Sequence, residues 1–263
     1  MKNRVQEYPE KYATTVAVMK TTRDFRCDEN YRFLPSGFFE KMTHRILIFI
    51  AVSVFTVHFH LHDRVRIEGK ENYKKMKKQG AVVVHNHCHL FDTVMISSLI
   101  TRFDDMTLVT LEENFQIPIA GRIIRYLGCV PIPKSYKANK KFIKTIDEQL
   151  RRNKKVSIVP EGYMWPYYPG LRPFYPGAFR FAVKNRKPAL PIVIVFRKKK
   201  EGSDTVYPVL KILEPIYPSS DLSLKEAEED LGIRVYDAMK KELEDFYPEE
   251  TRHRDFVDEK IVR

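Results

Sequence analysis

His85, His87 and His89 alternate along one short stretch that closes on Asp92, with Asn86 and Cys88 between them. Three imidazoles and a carboxylate this close together are costly to bury unpaired, so they point to a polar substrate or a metal. His87 and Asp92 are five positions apart, and a turn of that length can fold back so that the carboxylate accepts a hydrogen bond from one ring nitrogen. The tautomer is then fixed and the other nitrogen is left to take a proton from a hydroxyl or amine. Such general-base help is usually worth about 10²–10⁴ in rate. No G-x-S-x-G elbow occurs in the chain, so the proton taken belongs to the substrate rather than to a serine nucleophile. The plain alternatives are a helix-capping Asp92 and satisfied structural histidines. Cys88 beside His87 suggests a thiol nucleophile, but neighbours on an extended strand point to opposite faces.

A metal reading competes, because His-x-His-x-His is similar to the opening of zinc or iron hydrolase sites. Those sites need further ligands, usually histidines. From Leu90 to Arg252 there is none, only carboxylates.

The elements that must position these groups follow from the pattern around them. Ala81-Val-Val-Val84 after Gly80 reads as a buried strand, and the apolar run from Thr93 as a helix that Asp92 could N-cap. The histidines therefore sit on a strand-to-helix turn, at the carboxyl edge where α/β sheets bind ligands. From Asp63 onward strand and helix signals alternate. Strands are expected at Met106–Leu111, Cys129–Lys134, Val156–Val159, Leu190–Phe196 and Thr205–Ile212. Helices are expected at Ile117–Leu127, Asn139–Arg152 and Ala178–Lys184, the last with its amino end after Gly177, a place for an anion. Ser223 and Glu226 form a capping box for a final helix to about Phe246. Tyr163–Gly177 is a loop dense in aromatics and proline, of a length that is usually functional. The fold class expected is α/β: a single-domain mixed, largely parallel sheet flanked by helices, with an N-terminal membrane-docking helical segment. The divisions are an extension (1–40), an apolar membrane-associating segment (41–62), a catalytic domain (63–246) and a charged tail (247–263).

With 263 residues, 43% hydrophobic and 30% charged, the chain can bury a sizeable core. Its formal charge of +12 suits nucleic acid, an anionic membrane face or a phosphorylated substrate. Three cysteines without a CxxC pair fit a reducing compartment, and the amino terminus lacks a secretory apolar core. Ile46–Val57 is apolar on every side but short of the ~20 residues of a span. It is either a buried core helix or a helix dipping into one leaflet, and Arg45, Arg64 and Arg66 favour the membrane. His58, His60 and His62 alternate as strand neighbours would. They read as interfacial side chains, with a metal clamp shared with His85, His87 and His89 as the alternative.

His87-Cys-His-Leu-Phe-Asp92 matches the H-x-x-x-x-D motif of the glycerolipid acyltransferases, the family of the lysophosphatidic acid (1-acyl-sn-glycerol-3-phosphate) acyltransferases, and Asn86 matches the Asn that often precedes its His. Phe115–Gly128 followed by Val130-Pro-Ile-Pro-Lys134 resembles the second block, and Val159-Pro-Glu-Gly162 resembles the F-P-E-G-T-R block. Pro176-Gly-Ala-Phe-Arg-Phe-Ala followed by Leu190-Pro-Ile-Val193 resembles the last. The likeness runs from Arg66 to Phe196.

This resemblance implies that His87 deprotonates an acceptor hydroxyl, which attacks an acyl thioester directly, while Asp92 orients the imidazole. It places Glu161 and Gly162 at the acceptor site and needs no cofactor. The donor is acyl-CoA or acyl carrier protein, the acceptor a membrane lipid, and the place the cytoplasmic side of the cell membrane. The apolar segment and the basic charge suit both, whereas nucleic acid explains the charge but none of the motifs. The chain departs from the pattern at Tyr163-Met164, where Thr-Arg is usual, at Lys134, where an arginine is usual, and at His89, where a small hydroxyl residue is common. Lys134, Arg172 or Arg180 then becomes the candidate to hold a phosphate, or the acceptor is another lipid such as a glycolipid or amino-acid lipid. Tyr163, Trp165, Tyr167 and Tyr168 line a wider or sugar-stacking pocket, or serve as packing residues or interfacial anchors. A metal-dependent hydrolase built on His85–His89 and a lipid-binding relative without catalysis are the rival readings.

Overall fold

Ala81, Val82, Val83 and Val84 are fully buried, as a central strand covered on both faces requires. The computed structural model describes residues 24–101, 106–201, 203 and 205–247. The first part of the expected extension (1–23) and the tail from 248 lie outside the described residues. Its strands are β1 (Arg66–Glu68), β2 (Ala81–His85), β3 (Met106–Leu111), β4 (Cys129–Ile132), β5 (Lys155–Ile158), β6 (Ala189–Lys198) and β7 (Val206–Ile212). They form one 7-stranded sheet in the order β1-β7-β6-β2-β5-β3-β4. The run from β6 to β4 is parallel, β7 lies antiparallel to β6, and β1 lies parallel to β7. The mixed, largely parallel sheet expected from the alternating signals is therefore what forms.

The helices are α1 (Phe38–Leu61), α2 (Lys70–Lys75), α3 (Asp92–Leu99), α4 (Ala120–Ile123), α5 (Tyr136–Arg151), α6 (Arg180–Lys184) and α7 (Leu224–Phe246). Alternation along the strands divides the core between the two faces. Val82, Val84, Val156 and Val193 face Phe142, Ile146 and Leu150 of α5 and Leu231 and Val235 of α7. Ala81, Val83, Leu190, Ile192 and Ile194 face Met95 and Ile96 of α3 and Phe59 of α1. The described part of the extension packs on the first face, with Phe25 stacked on Phe115 at 4.9 Å and Phe33 buried against Phe142.

Four expectations change. The apolar stretch is a 24-residue helix rather than a 12-residue run, because Lys41, His44 and Arg45 are carried in its first turns. Of its 18-residue apolar window, mean hydropathy 1.6, only 11% is buried, so it is not a core helix. His58 and His60 lie in its last turn, not on a strand. The helix expected at 117–127 splits into α4 and a 3-10 turn at Ile124–Leu127, since Pro118 has no N–H to give and Gly121 is pressed on the Phe115 carbonyl, where a Cβ would stand 2.2 Å away. The helix expected from Ala178 starts at Arg180 after a 3-10 turn and has 5 residues, so no long helix opens behind Gly177 to hold an anion. The capping box of α7 forms as expected, with Ser223 and Glu226 bonded reciprocally.

Candidate active site

Strand β2 stops pairing through its main chain at His85, which is opposite Ile192 of β6. Asn86 continues the ladder with its side chain. Its Oδ1 accepts from the Ile194 N–H at 2.7 Å and its Nδ2 donates to the Ile194 carbonyl at 2.9 Å. The main chain is thereby released to bend out of the sheet at its carboxyl edge. The freed N–H of His87 donates to Glu161 Oε2 at 3.0 Å.

The bend returns at α3. Asp92 is the first residue of that helix rather than its cap, the cap being Phe91, and Asp92 Oδ1 accepts from the Thr93 N–H at 2.5 Å. A carboxylate at this end of a helix is favoured by the helix dipole. Its other oxygen, Oδ2, accepts from His87 Nδ1 at 2.5 Å. The His87 side chain is 24% exposed and that of Asp92 2%, so the pair has one buried end and one end that a substrate can reach. Nδ1 must carry the proton that Asp92 accepts. Nε2 of neutral His87 is then a lone-pair acceptor.

Burial by itself would push the His87 pKa down, but the charges of Asp92 and Glu161 and the Asp92 hydrogen bond outweigh it and raise the pKa above 6.5. Asp92 is also opposed by burial, yet His87, His85 and the hydrogen bonds from His87 and Thr93 bring it down to about 2. The carboxylate stays ionised while the imidazole titrates.

His85 and His89 do other work. His85 is fully buried, its Nδ1 donates to the Asn86 carbonyl at 3.0 Å and its Nε2 lies 3.0 Å from Thr93 Oγ1. Burial lowers its pKa, so it is a neutral support beneath the turn. His89 accepts from the Phe91 N–H at 3.1 Å and sits against Phe91, Tyr167 and Phe196. With His85 committed at both nitrogens, the three imidazoles do not converge on a point as metal ligands must, and none joins His58, His60 or His62. Cys88 is buried and its thiol pKa is pushed far up by burial. It packs in the apolar core instead of supplying a thiolate.

Glu161 is buried, and its two oxygens bind three donors: the His87 N–H, the Arg172 N–H at 3.1 Å, and Arg172 Nη2 at 2.7 Å. Arg172 also donates to the Tyr163 carbonyl and lies over the Trp165 ring, 4.9 Å from its centroid. The aromatic loop is docked on the turn itself, with the Trp165 N–H on the His87 carbonyl at 3.0 Å and the Tyr167 N–H on the Cys88 carbonyl at 2.8 Å. Trp165 and Tyr168 are buried. Gly162 adopts φ +72°, and a Cβ there would meet the Tyr175 ring at 2.8 Å, which requires glycine.

The structure thus gathers His87, Asp92, Glu161, Gly162 and Arg172 around one turn. Lys134 stands apart at the carboxyl edge beyond β4, exposed and 2.6 Å from Glu113 Oε1. Arg180 is exposed on α6, which packs on α7, and the Glu228 carboxylate feels its charge. Sequence reasoning missed the ladder-completing role of Asn86 and the Glu161–Arg172 pair. An Asn one residue beyond a β-branched run, after His85, was the available signal for the first.

No curated protein matches the chain. The crystal structure of the 1-acyl-sn-glycerophosphate (LPA) acyltransferase PlsC from Thermotoga maritima shares the fold, with a TM-score of 0.56 and 24% identity over 82% of each chain. The family model Acyltransferase matches residues 64–195, a stretch that runs from the approach to β1 through the His87–Asp92 turn and the Glu161 clamp into β6. This chain belongs to that acyltransferase family.

Proposed function

We propose that the protein transfers a fatty acyl group from an acyl thioester, carried by coenzyme A or acyl carrier protein, to the hydroxyl of a lysophospholipid such as 1-acyl-glycerol-3-phosphate, in phospholipid biosynthesis. The observation that carries this reading is the His87 Nδ1–Asp92 Oδ2 contact of 2.5 Å on a partly exposed imidazole. The acceptor hydroxyl gives its proton to Nε2 as its oxygen attacks the thioester carbon. The C–S bond then breaks, and the departing sulfur takes the proton back from the imidazolium. Asp92 remains ionised throughout and stabilises that imidazolium. The thioester supplies the driving force, so the chemistry calls on no cofactor.

The Thermotoga maritima protein of the same fold is by name a 1-acyl-sn-glycerophosphate acyltransferase, which supports that acceptor. Glu161, bound to three donors, acts as the post that sets the height of His87, with Arg172 as its counter-ion. Gly162 keeps the adjoining turn close to the acceptor. For the phosphate, Lys134 is the better placed of the three basic candidates. Arg172 is committed to Glu161, and Arg180 sits on α6 beside α7, whereas Lys134 presents its ammonium at the carboxyl edge. It lies three strands from β2, about 14 Å at normal strand spacing, and Glu113 would yield to the headgroup.

Residues 41–62 serve as the docking segment and 63–246 as the transferring unit, on the cytoplasmic face of the cell membrane. The exposed apolar side chains of α1, among them Phe49 at 74% and Val54 at 60%, support this, as does the net charge of +12. The test is acyl transfer from labelled acyl-coenzyme A and acyl carrier protein to a panel of lysolipids. Labelled diacyl product from 1-acyl-glycerol-3-phosphate is the expected result. Acylation of a glycolipid or amino-acid lipid alone would reassign the acceptor.

A further inference from the structure

At the carboxyl end of α1 a second polar cluster lies outside the acyl-transfer machinery. His58 and His62 are one helical turn apart, so their rings share a face and stack at 4.8 Å with an interplanar angle of 16°. The chain then curls tightly. Both the His62 and the Asp63 N–H groups reach the His58 carbonyl, at 2.8 and 3.2 Å, and this folds Asp63 back beneath the two imidazoles. His58 Nε2 stands 3.3 Å from Asp63 Oδ2, and His62 Nδ1 stands 2.8 Å from Asp63 Oδ1. The ligand atoms of all three residues lie within 4.8 Å of one another.

The Asp63 side chain is 3% exposed, and among the described residues no hydrogen-bond donor is aligned on its buried Oδ2. A buried carboxylate oxygen left in this way is an uncommon and costly arrangement that asks for a partner. Oδ2 meets only the His58 Nε2 contact at 3.3 Å, which is not aligned as a hydrogen bond.

We propose that His58, His62 and Asp63 form a binding site for a divalent transition-metal ion of the zinc class, at the junction between α1 and β1. Two ligands each about 2.0–2.1 Å from a tetrahedral zinc stand about 3.3 Å apart. That is the His58–Asp63 separation. His62 meets the other carboxylate oxygen, Oδ1, at 2.8 Å, and that contact must open by about 0.5 Å to match the same spacing. Two imidazoles with one carboxylate suit zinc, whereas calcium and magnesium favour all-oxygen sets. The helix carboxyl terminus adds negative potential. His58 and His62 are 44% and 71% exposed, so an ion enters from solvent and keeps water in its fourth position. His60, two residues from either histidine, points elsewhere and is no part of the cluster. Bound metal would fix the end of the apolar helix where Phe59 meets Phe91 of the catalytic turn, their ring centroids 6.5 Å apart.

The experiment uses the full chain, free of any affinity tag, in detergent micelles and stripped by chelator. It is titrated with zinc alone against a chromophoric competitor, then with cobalt for its optical spectrum. One equivalent of zinc binds, and the cobalt form shows tetrahedral absorption. Loss of even an outer partner of such sites costs about 10–100-fold, so His58→Ala and His62→Ala each weaken binding by at least that factor. His60→Ala binds as wild type. Circular dichroism checks that each variant is folded, and the two exposed histidines keep the test valid if Asp63→Asn is not. A wild-type protein that takes up no zinc, histidine variants that bind it with wild-type affinity, or a His60→Ala loss as large as theirs would each overturn the site.

Discussion

Glu161 Oε2 accepts the main-chain N–H of His87 at 3.0 Å and holds the Arg172 guanidinium at 2.7 Å with the same oxygen. One buried carboxylate thereby joins the turn after β5 to the turn after β2. The main chain of His87 is thus anchored to a residue 74 positions away.

Replacing Glu161 with Gln removes the charge that balances a buried guanidinium and turns an NH₂ toward donors. Breaking one partner of a buried pair typically costs about 3–5 kcal/mol, and a loss of that size is expected in chemical denaturation. Because Glu161 and Arg172 share one interaction, the double variant Glu161→Gln/Arg172→Met should lose less than the sum of the singles, with a coupling of roughly 0.5–3 kcal/mol. Additive losses would show that the pair is not the clamp.

Asn86 makes a second prediction. Asn86→Ala leaves the buried Ile194 N–H without its side-chain partner, at about 1–3 kcal/mol, and leaves its carbonyl with only the Cys88 thiol at 3.7 Å. Asn86→Asp keeps the acceptor for the N–H but sets a carboxylate against the carbonyl, so it should be no better than Ala at neutral pH. The midpoint of urea unfolding reads both. A stable Asn86→Ala protein with full activity would mean that β2 needs no side-chain extension.

The pH dependence follows from the pair of charges at the site. With His87 as the proposed base, transfer requires it neutral; its pKa is raised above 6.5, so kcat/KM should rise with pH along an acid limb centred above 6.5. In Asp92→Asn that limb should move to lower pH as the rate falls, since the carboxylate that holds the proton on is gone. Stability runs differently. Asp92 is held at about 2 against an ordinary 3.8, so its contribution is complete above pH 3.8 and is lost as pH falls through about 2. The raised His87 pKa contributes below 6.5 and loses that contribution as pH rises through its folded value. An acid limb that stays in place in Asp92→Asn would remove Asp92 from control of the base.

Membrane docking is testable on α1 alone. Phe49 and Val54 are exposed, while Ile48 and Phe59 are the residues of the helix that the fold buries. The double substitution Phe49→Glu/Val54→Glu should leave the unfolding midpoint unchanged. It should reduce partition onto anionic vesicles by at least about tenfold, since burying each such side chain is worth about 1.5–3 kcal/mol. Unchanged partition would assign those side chains to another partner.

The sheet and its central turn were legible because their signals are local. A β-branched run, a five-residue His-to-Asp spacing and a capping box each report on neighbours in the chain. What escaped depends on contacts between distant segments. Arg172 read as a free basic residue for a phosphate, yet Glu161 and Trp165 hold it in the interior. The aromatic loop read either as a pocket lining or as packing, and the burial of Trp165 and Tyr168 against the turn decides for packing at those two residues. The length of α1 was hidden because Lys41, His44 and Arg45 interrupt the apolar pattern without ending the helix. Likewise the alternation of His58, His60 and His62 suggests a strand, and only the helix shows that 58 and 62 share a face.

The most direct test of the account is single-turnover acyl transfer by the wild type and His87→Ala, each checked for folding, with a thioester donor and a lysophospholipid acceptor. Loss of the base predicts a rate lower by at least about 10²–10⁴, with the acceptor still bound. Transfer by His87→Ala within a fewfold of the wild-type rate would contradict the assignment of His87 as the base.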